Sequence, residues 1–200
     1  WMKFDDFCAN FSQVYLCKIF PATWSQYSIN GEWSGNTAGG PYPFEDAVKK
    51  AEDSKDSKPE TIKVDTNNRW FNNPQYRISV KKKTTIIISV MQDDEKISKR
   101  DYIPINFLVV RVKSKRDRLW EINQDDIVLD ALSGFENKGS REITRNCTLT
   151  PEHDKKPCHY MIVPNTEVTA NKKEEERPFY LRMFSSEPMQ LVQLQNTIEQ

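Results

Sequence analysis

The sequence predicts an all-β chain: an antiparallel β-sandwich of about eight strands behind a short N-terminal helix. Three observations carry that expectation. Short runs of β-branched and aromatic residues recur at hairpin-like spacing along the chain. No helical run is long enough to act as a crossover between parallel strands. Glycine and tryptophan also gather near the front, where Trp33, Gly35, Gly39, Gly40 and Trp70 fall between Gly31 and Ile78.

The helix comes first. Phe4, Phe7 and Phe11 share one helical face, and Asp5 and Asp6 sit in the first turn, where a helix N-terminus favours negative charge. That aromatic face is expected to pack on the sandwich or on a preceding domain. Val14 to Phe20 reads as the first strand, closed by Pro21. Gly31 to Gly40 reads as a shaped turn held by aromatics. From Pro41 to Thr66 charges of both signs leave little to bury, which fits a surface helix around Phe44 to Glu52 or a mobile loop.

Seven further strands are predicted. Tyr76, Ile78 and Val80 alternate with polar neighbours, while Thr84 to Met91 and Ile105 to Val112 are apolar nearly throughout and read as central strands. Ile127 to Leu132 is the next, then Ile143 to Leu149, stopped by Pro151. Met161 to Val163 and Phe179 to Phe184 complete the set. Leu191, Leu194 and Ile198 have helical spacing in a Gln-rich tail that reads equally as a linker.

Composition narrows the function. The chain has 200 residues, enough for one large all-β domain, and 37% hydrophobic content supplies a sandwich core. With 29 basic and 29 acidic residues there is no overall positive field, so nucleic acid is not an expected partner. No apolar run approaches the roughly 20 residues that span a bilayer, and no signal pattern opens the chain, so a soluble domain is expected. The start at Trp1, inside a helix entrance, reads as a piece of a longer protein. Cys8, Cys17, Cys147 and Cys158 show no CxxC spacing, which fits a reduced, cytoplasmic setting.

The chemistry-bearing residues are sparse. Cys158 and His159 are adjacent on a strand and so face opposite ways, which disfavours a thiolate–imidazole pair; His153 with Cys158 is the remaining enzyme alternative. Cys147, His153, Cys158 and His159 match no zinc spacing, so no metal site is expected. The glycines lack the Gly-Lys-Ser/Thr ending of a phosphate loop. Asp93, Asp94 and Glu95, and Asp125, Asp126 and Asp130, read as solvated turns. Lys81, Lys82 and Lys83, with Lys99, Arg100 and the run from Lys113 to Arg118, form either a basic face for anionic lipid or a guard on a sheet edge.

A resemblance adds to this reading. Trp33, Gly35, Thr37, Ala38, Gly39 and Gly40, followed by Phe71, Asn73, Pro74, Gln75, Tyr76 and Ile78, resemble the signature of the β-sandwich that follows the protease core in calpains. Trp1 to Phe7 is similar to the final helix of that core, and Tyr160 to Thr166 with Phe179 to Ser186 resembles the sandwich's last strands. The resemblance implies a C2-like fold divided at 1–13 (end of the protease core), 14–187 (sandwich, with 41–66 as an insertion) and 188–200 (tail or linker). It implies a non-catalytic scaffold, with the catalytic residues upstream and a calpain-like cysteine endopeptidase, calcium-regulated in the family, as the parent.

The preceding core and a membrane surface are the implied partners; the alternative is a stand-alone adaptor or lipid-binding module. The departure lies at Lys81, Lys82 and Lys83, where many calpains carry an acidic loop. Three ammonium groups cannot supply the oxygen ligands that calcium needs, so no cofactor is expected there. They are instead candidate contacts for lipid or another anion.

Overall fold

The computed structural model describes residues 1–12, 19–42, 69–113, 118–128, 139–151, 156–167 and 176–194. Within these residues eight strands form two four-stranded antiparallel sheets. The strands are β1 (Ser25–Trp33), β2 (Tyr76–Val80), β3 (Thr84–Gln92), β4 (Ile105–Val112), β5 (Glu142–Leu149), β6 (Cys158–Thr166), β7 (Arg177–Ser185) and β8 (Gln190–Gln193). The first sheet runs β1-β7-β3-β5 and the second β4-β6-β2-β8. Among the described residues the α-helices are α1 (Phe4–Asn10) and the single turn α2 (Glu95–Ser98). The C2-like sandwich expected from the sequence is present.

The core lies between the sheets. Ile86, Ile88 and Val90 of β3 alternate inward against Ile78, Phe107, Val109, Tyr160 and Ile162 of the second sheet. That period-two pattern is what a pleated strand imposes. The second sheet is also covered on its outer face, where Leu108, Val110, Val112, Met161 and Val163 pack under Tyr42, Trp70, Leu119, Ile122 and Ile127. Burial on both faces explains why β4 is apolar nearly throughout: every residue but Arg111 is buried.

Pro164 sits inside β6 without cost. It pairs with Phe107 on the β4 side, while β2 begins only at Tyr76, opposite Ile162, so no ladder partner on that side needs its missing N–H. Its carbonyl accepts from Trp33 Nε1 at 3.3 Å, tying the first sheet to the second.

Several expectations need correction. Ile19 and Phe20 are not in a strand; Phe20 stacks on Phe184 with ring centroids 3.9 Å apart, and the rest of the expected Val14 to Phe20 strand lies outside the described residues. Among the described residues the first strand is β1, which ends within the stretch read as a turn. Ile127 makes only an isolated bridge to Val110, and residues 129–132 lie outside the described set. Residues 190–193, read as tail, form β8 and pair with β2. The aromatic face of α1 is not packed on the sandwich: no residue of α1 is buried, and Phe4 is 76% exposed.

Three interior tyrosines predict an alkaline limit to stability. Burial pushes Tyr42 and Tyr160 up to about 12 and Tyr76 higher still. A phenol raised in the folded state contributes its full stability below the unfolded value of about 10, and loses it as pH rises toward the folded value. Urea midpoints should therefore hold below pH ~10 and fall above it, by up to about 1.4 kcal/mol per pH unit for each tyrosine still protonated in the folded chain. Tyr76 Oη is buried with no hydrogen-bond partner among the described residues. Tyr76→Phe should therefore fold at least as stably at neutral pH and show a shallower alkaline decline. A midpoint unchanged through pH ~12 would contradict this account.

Candidate functional site

The residues singled out between Trp33 and Tyr76 come together at one end of the sandwich. β1 delivers Trp33, fully buried, with its ring 4.3 Å from that of Phe179. The chain then closes a 3-10 turn over Gly35–Thr37, where the Ser34 N–H donates to Thr37 Oγ1 at 3.0 Å. Ala38 enters the core, and Gly39 passes so close to the chain at Arg69 that an added Cβ would overlap the Arg69 carbonyl. Glycine is needed there for backbone approach.

Asn73 answers the Gly39–Gly40 segment. Its side-chain oxygen accepts from the Gly39 N–H at 3.1 Å, while its amide nitrogen donates to the carbonyls of Gly40 and Trp70, each at 2.8 Å. Pro74 follows, buried, and leads into β2. Gln75 does the same for a third segment. Its side chain donates to the Leu119 carbonyl at 2.9 Å and accepts from the Leu119 N–H at 2.7 Å, in the manner of a strand neighbour. Tyr76 packs edge-on to Phe179 in the core. This group holds backbone to backbone, which places it with the fold rather than with a cleft.

Arg118 belongs to the same lock, although its sequence neighbours suggested an exposed basic face. It is buried and donates to the carbonyls of Phe71 at 2.6 Å and Asn73 at 2.8 Å. Burial lowers its pKa from the ordinary guanidinium value. The missed signal was its neighbour Leu119, an apolar residue directly after the charged run and itself buried.

The lysines form the corner between the sheets. β2 ends at Val80 in the second sheet and β3 starts at Thr84 in the first, so Lys81, Lys82 and Lys83 make the crossing. All three are exposed. Thr84 Oγ1 donates to the Lys82 carbonyl at 2.8 Å, and Lys82 Nζ lies 3.6 Å from Glu187. Lys81 lines a cleft with Ser79 and His159.

The remaining candidates disperse. Cys158 packs toward the inter-sheet core, while His159, next along β6, pairs on the outer face with Ser79. Ser79 Oγ and His159 Nδ1 are 2.7 Å apart. Cys147 is buried in the core, Cys8 is exposed on α1, and Cys17 and His153 lie outside the described residues. Among the described residues no cluster of three metal-ligating side chains occurs.

The acidic turns have local work. Asp94 caps α2 through the Lys96 N–H at 2.9 Å and pairs with Arg141 at 3.3 Å. Asp93 accepts from the Tyr180 hydroxyl at 3.0 Å, a bond that raises the Tyr180 pKa. Asp126 accepts from Asn123 at 3.3 Å. Asp130 lies outside the described residues. No helix among the described residues is long and apolar enough to cross a membrane.

Comparison with known proteins agrees with this arrangement. The family described as calpain large subunit, domain III, matches residues 63–184. The calpain-type cysteine protease ADL1 of Oryza sativa subsp. japonica is 25% identical over 96% of this chain and 8% of its own length. DEK1 of Arabidopsis thaliana, also a calpain-type cysteine protease, is 25% identical over 92% of this chain and 8% of its length. Calpain-B of Drosophila melanogaster is 27% identical over 92% of this chain and 19% of its length. The chain thus spans from 8% to 19% of these relatives. With a match that runs from ahead of β2 into β7 and takes in more than half of the residues, the chain belongs to the calpain large subunit domain III family.

Proposed function

We propose that this chain is the non-catalytic sandwich of a calpain-type cysteine protease, a rigid body in the same polypeptide as a protease core and positioned to hold that core against its neighbours. The assignment of 1–13 to the core's last helix, 14–187 to the sandwich and 41–66 to an insertion belongs to this reading, as does a cytoplasmic parent. The observation that carries it is what the signature residues do. Asn73, Gln75 and Arg118 are engaged in fixing three backbone segments to one another. Cys158 and His159 meanwhile diverge to opposite faces of β6.

Three ammonium groups at the acidic-loop position argue that any calcium response of the parent acts through other residues. The purified chain is expected to leave a fluorogenic peptide uncleaved. Turnover that is blocked by thiol alkylation and lost in Cys158→Ser would overturn the non-catalytic assignment.

A membrane contact is the second reading, favoured by the exposure of the lysine corner. Each basic group near an anionic leaflet contributes about 1 kcal/mol, so changing all three lysines to glutamine should weaken sedimentation with phosphatidylserine vesicles by roughly 100-fold. Equal sedimentation of the triple variant and the parent chain would remove this reading.

A further inference from the structure

We infer that the open edge of β1 is a docking surface for a second copy of this chain, the two β1 strands pairing antiparallel about Ile29 so that two four-stranded sheets join into one. The sheet order places β1, β5, β4 and β8 at edges. An exposed edge offers a row of backbone donors and acceptors, which proteins usually blunt with charge, shortness or a covering segment. Three of these edges carry such a device. β5 has Glu142 and Arg145 within its eight residues, and β8 is only four residues long. β4 is bridged at Val110 by Ile127, and the Val128 N–H donates to the Val109 carbonyl at 2.8 Å.

β1 carries none of them. It runs for nine residues without proline, lysine or arginine, and its sole charge, Glu32, stands next to its end. All nine residues pair with β7, and among the described residues no strand lies on the other side. In an antiparallel strand every second residue turns its N–H and C=O away from a given neighbour, so about half of this backbone faces the open side. Thr37 Oγ1 reaches the Glu32 carbonyl at 3.4 Å, at the end of the strand and away from its centre.

The side chains at that edge agree. Tyr27 and Ile29 pack on the core yet stay partly exposed, as does Leu191 of β8. Tyr27 ties the two edges together, its hydroxyl donating to the Met189 carbonyl and accepting from the Met189 N–H, each at 2.9 Å. The sandwich therefore ends on this side in an apolar strip that a neighbouring strand would cover.

The partner is a second copy because the strand is complementary to itself. Antiparallel pairing about Ile29 engages all nine residues and keeps each inward side chain opposite an inward one. In that register Tyr27 meets the partner's Gly31 and Trp33 meets the partner's Ser25, so each large residue faces a small one. On the outer face Ser28 meets the partner's Asn30. Glu32 meets the partner's Gln26, an amide donor, and no like charges stand opposite one another. A two-fold axis through the Ile29 pair closes the assembly at two copies.

This inference is independent of the scaffold reading, which is tested by peptide cleavage. Sedimentation velocity of the 200-residue chain over a concentration series is the measurement. The mass is expected to double below about 100 μM. Ser28 and Asn30 are exposed, so paired substitutions there test the register without entering the core. Ser28→Lys with Asn30→Lys sets lysine against lysine twice across the axis and should weaken the dimer by about tenfold. Ser28→Lys with Asn30→Glu sets lysine against glutamate at the same places and should hold it at least as tightly as the parent chain.

A chain that stays monomeric up to that concentration would overturn the surface, as would equal dimer affinities of the two variants. So would a dimer that survives both but is lost in Phe4→Ser with Phe11→Ser, because the exposed aromatic face of α1 would then be what joins the copies.

Discussion

Asn73→Ala is expected to destabilise the folded chain by about 4 kcal/mol, a large share of the stability of an ordinary domain. The amide of Asn73 is buried and makes three bonds to main chain, one accepted from Gly39 and two donated to Gly40 and Trp70. Alanine removes the partner of the Gly39 N–H and of the Gly40 carbonyl, while the Trp70 carbonyl keeps its bond from the backbone N–H of residue 73; each unsatisfied buried group costs about 1–3 kcal/mol. Asn73→Asp should be no milder, because a carboxylate keeps the acceptor but faces both carbonyls with charge and no donor. The damage should also spread: Trp70 and Tyr42, which cover the outer face of the second sheet, are held by this loop. Urea unfolding followed by tryptophan emission measures both effects. A loss under about 1 kcal/mol would mean that water or a neighbour replaces the amide, and that the lock is not what fixes the loop.

That lock was visible in sequence only as a set of letters. Gly39, Asn73 and Gln75 stood out by resemblance, but their bonding partners lie 34 and 44 positions apart. No local window contains such a pair. Arg118 was read with its charged neighbours because charge runs usually face solvent. Its burial goes with three hydrogen bonds to two carbonyls, Phe71 and Asn73, that only the assembled loops create. The pairing of Ser79 with His159, 80 residues apart, was invisible for the same reason.

The strands divide along similar lines. β3 and β4 were legible because a long β-branched run buried on one or both faces leaves little choice of conformation. β5 was legible through its alternation, with Ile143, Cys147 and Leu149 turned inward. β1 was missed even though Tyr27, Ile29 and Trp33 alternate with Gln26, Ser28, Asn30 and Glu32. Gly31 interrupts the apolar face, and an isolated glycine in a strand pattern reads as punctuation. β8 offers four residues with glutamine at both ends, too little pattern for any periodicity to register. It forms because β2 leaves an edge to be paired and Leu191 packs on the core.

The interruption at Gly31 is itself the basis of the second large expected effect. Gly31 faces Phe179 in the β1–β7 register, and a Cβ added there would overlap the Phe179 ring and the Tyr76 hydroxyl. The Phe179 ring cannot swing aside freely, since Trp33 lies against it at 4.3 Å and Tyr76 meets it edge-on at 6.4 Å. All three rings are buried between the sheets. Gly31→Ala should therefore cost about 3 kcal/mol through overpacking, despite alanine's better backbone entropy. Phe179→Ala should cost about 4 kcal/mol through the cavity it leaves. The double variant is the decisive measurement, because the new methyl group then occupies space that the ring has vacated. Its loss should fall short of the sum by about 2 kcal/mol, a coupling expected only for groups that compete for one volume. Additive losses, within about 0.5 kcal/mol, would mean that Gly31 is required for its backbone and not for the ring that fills its place.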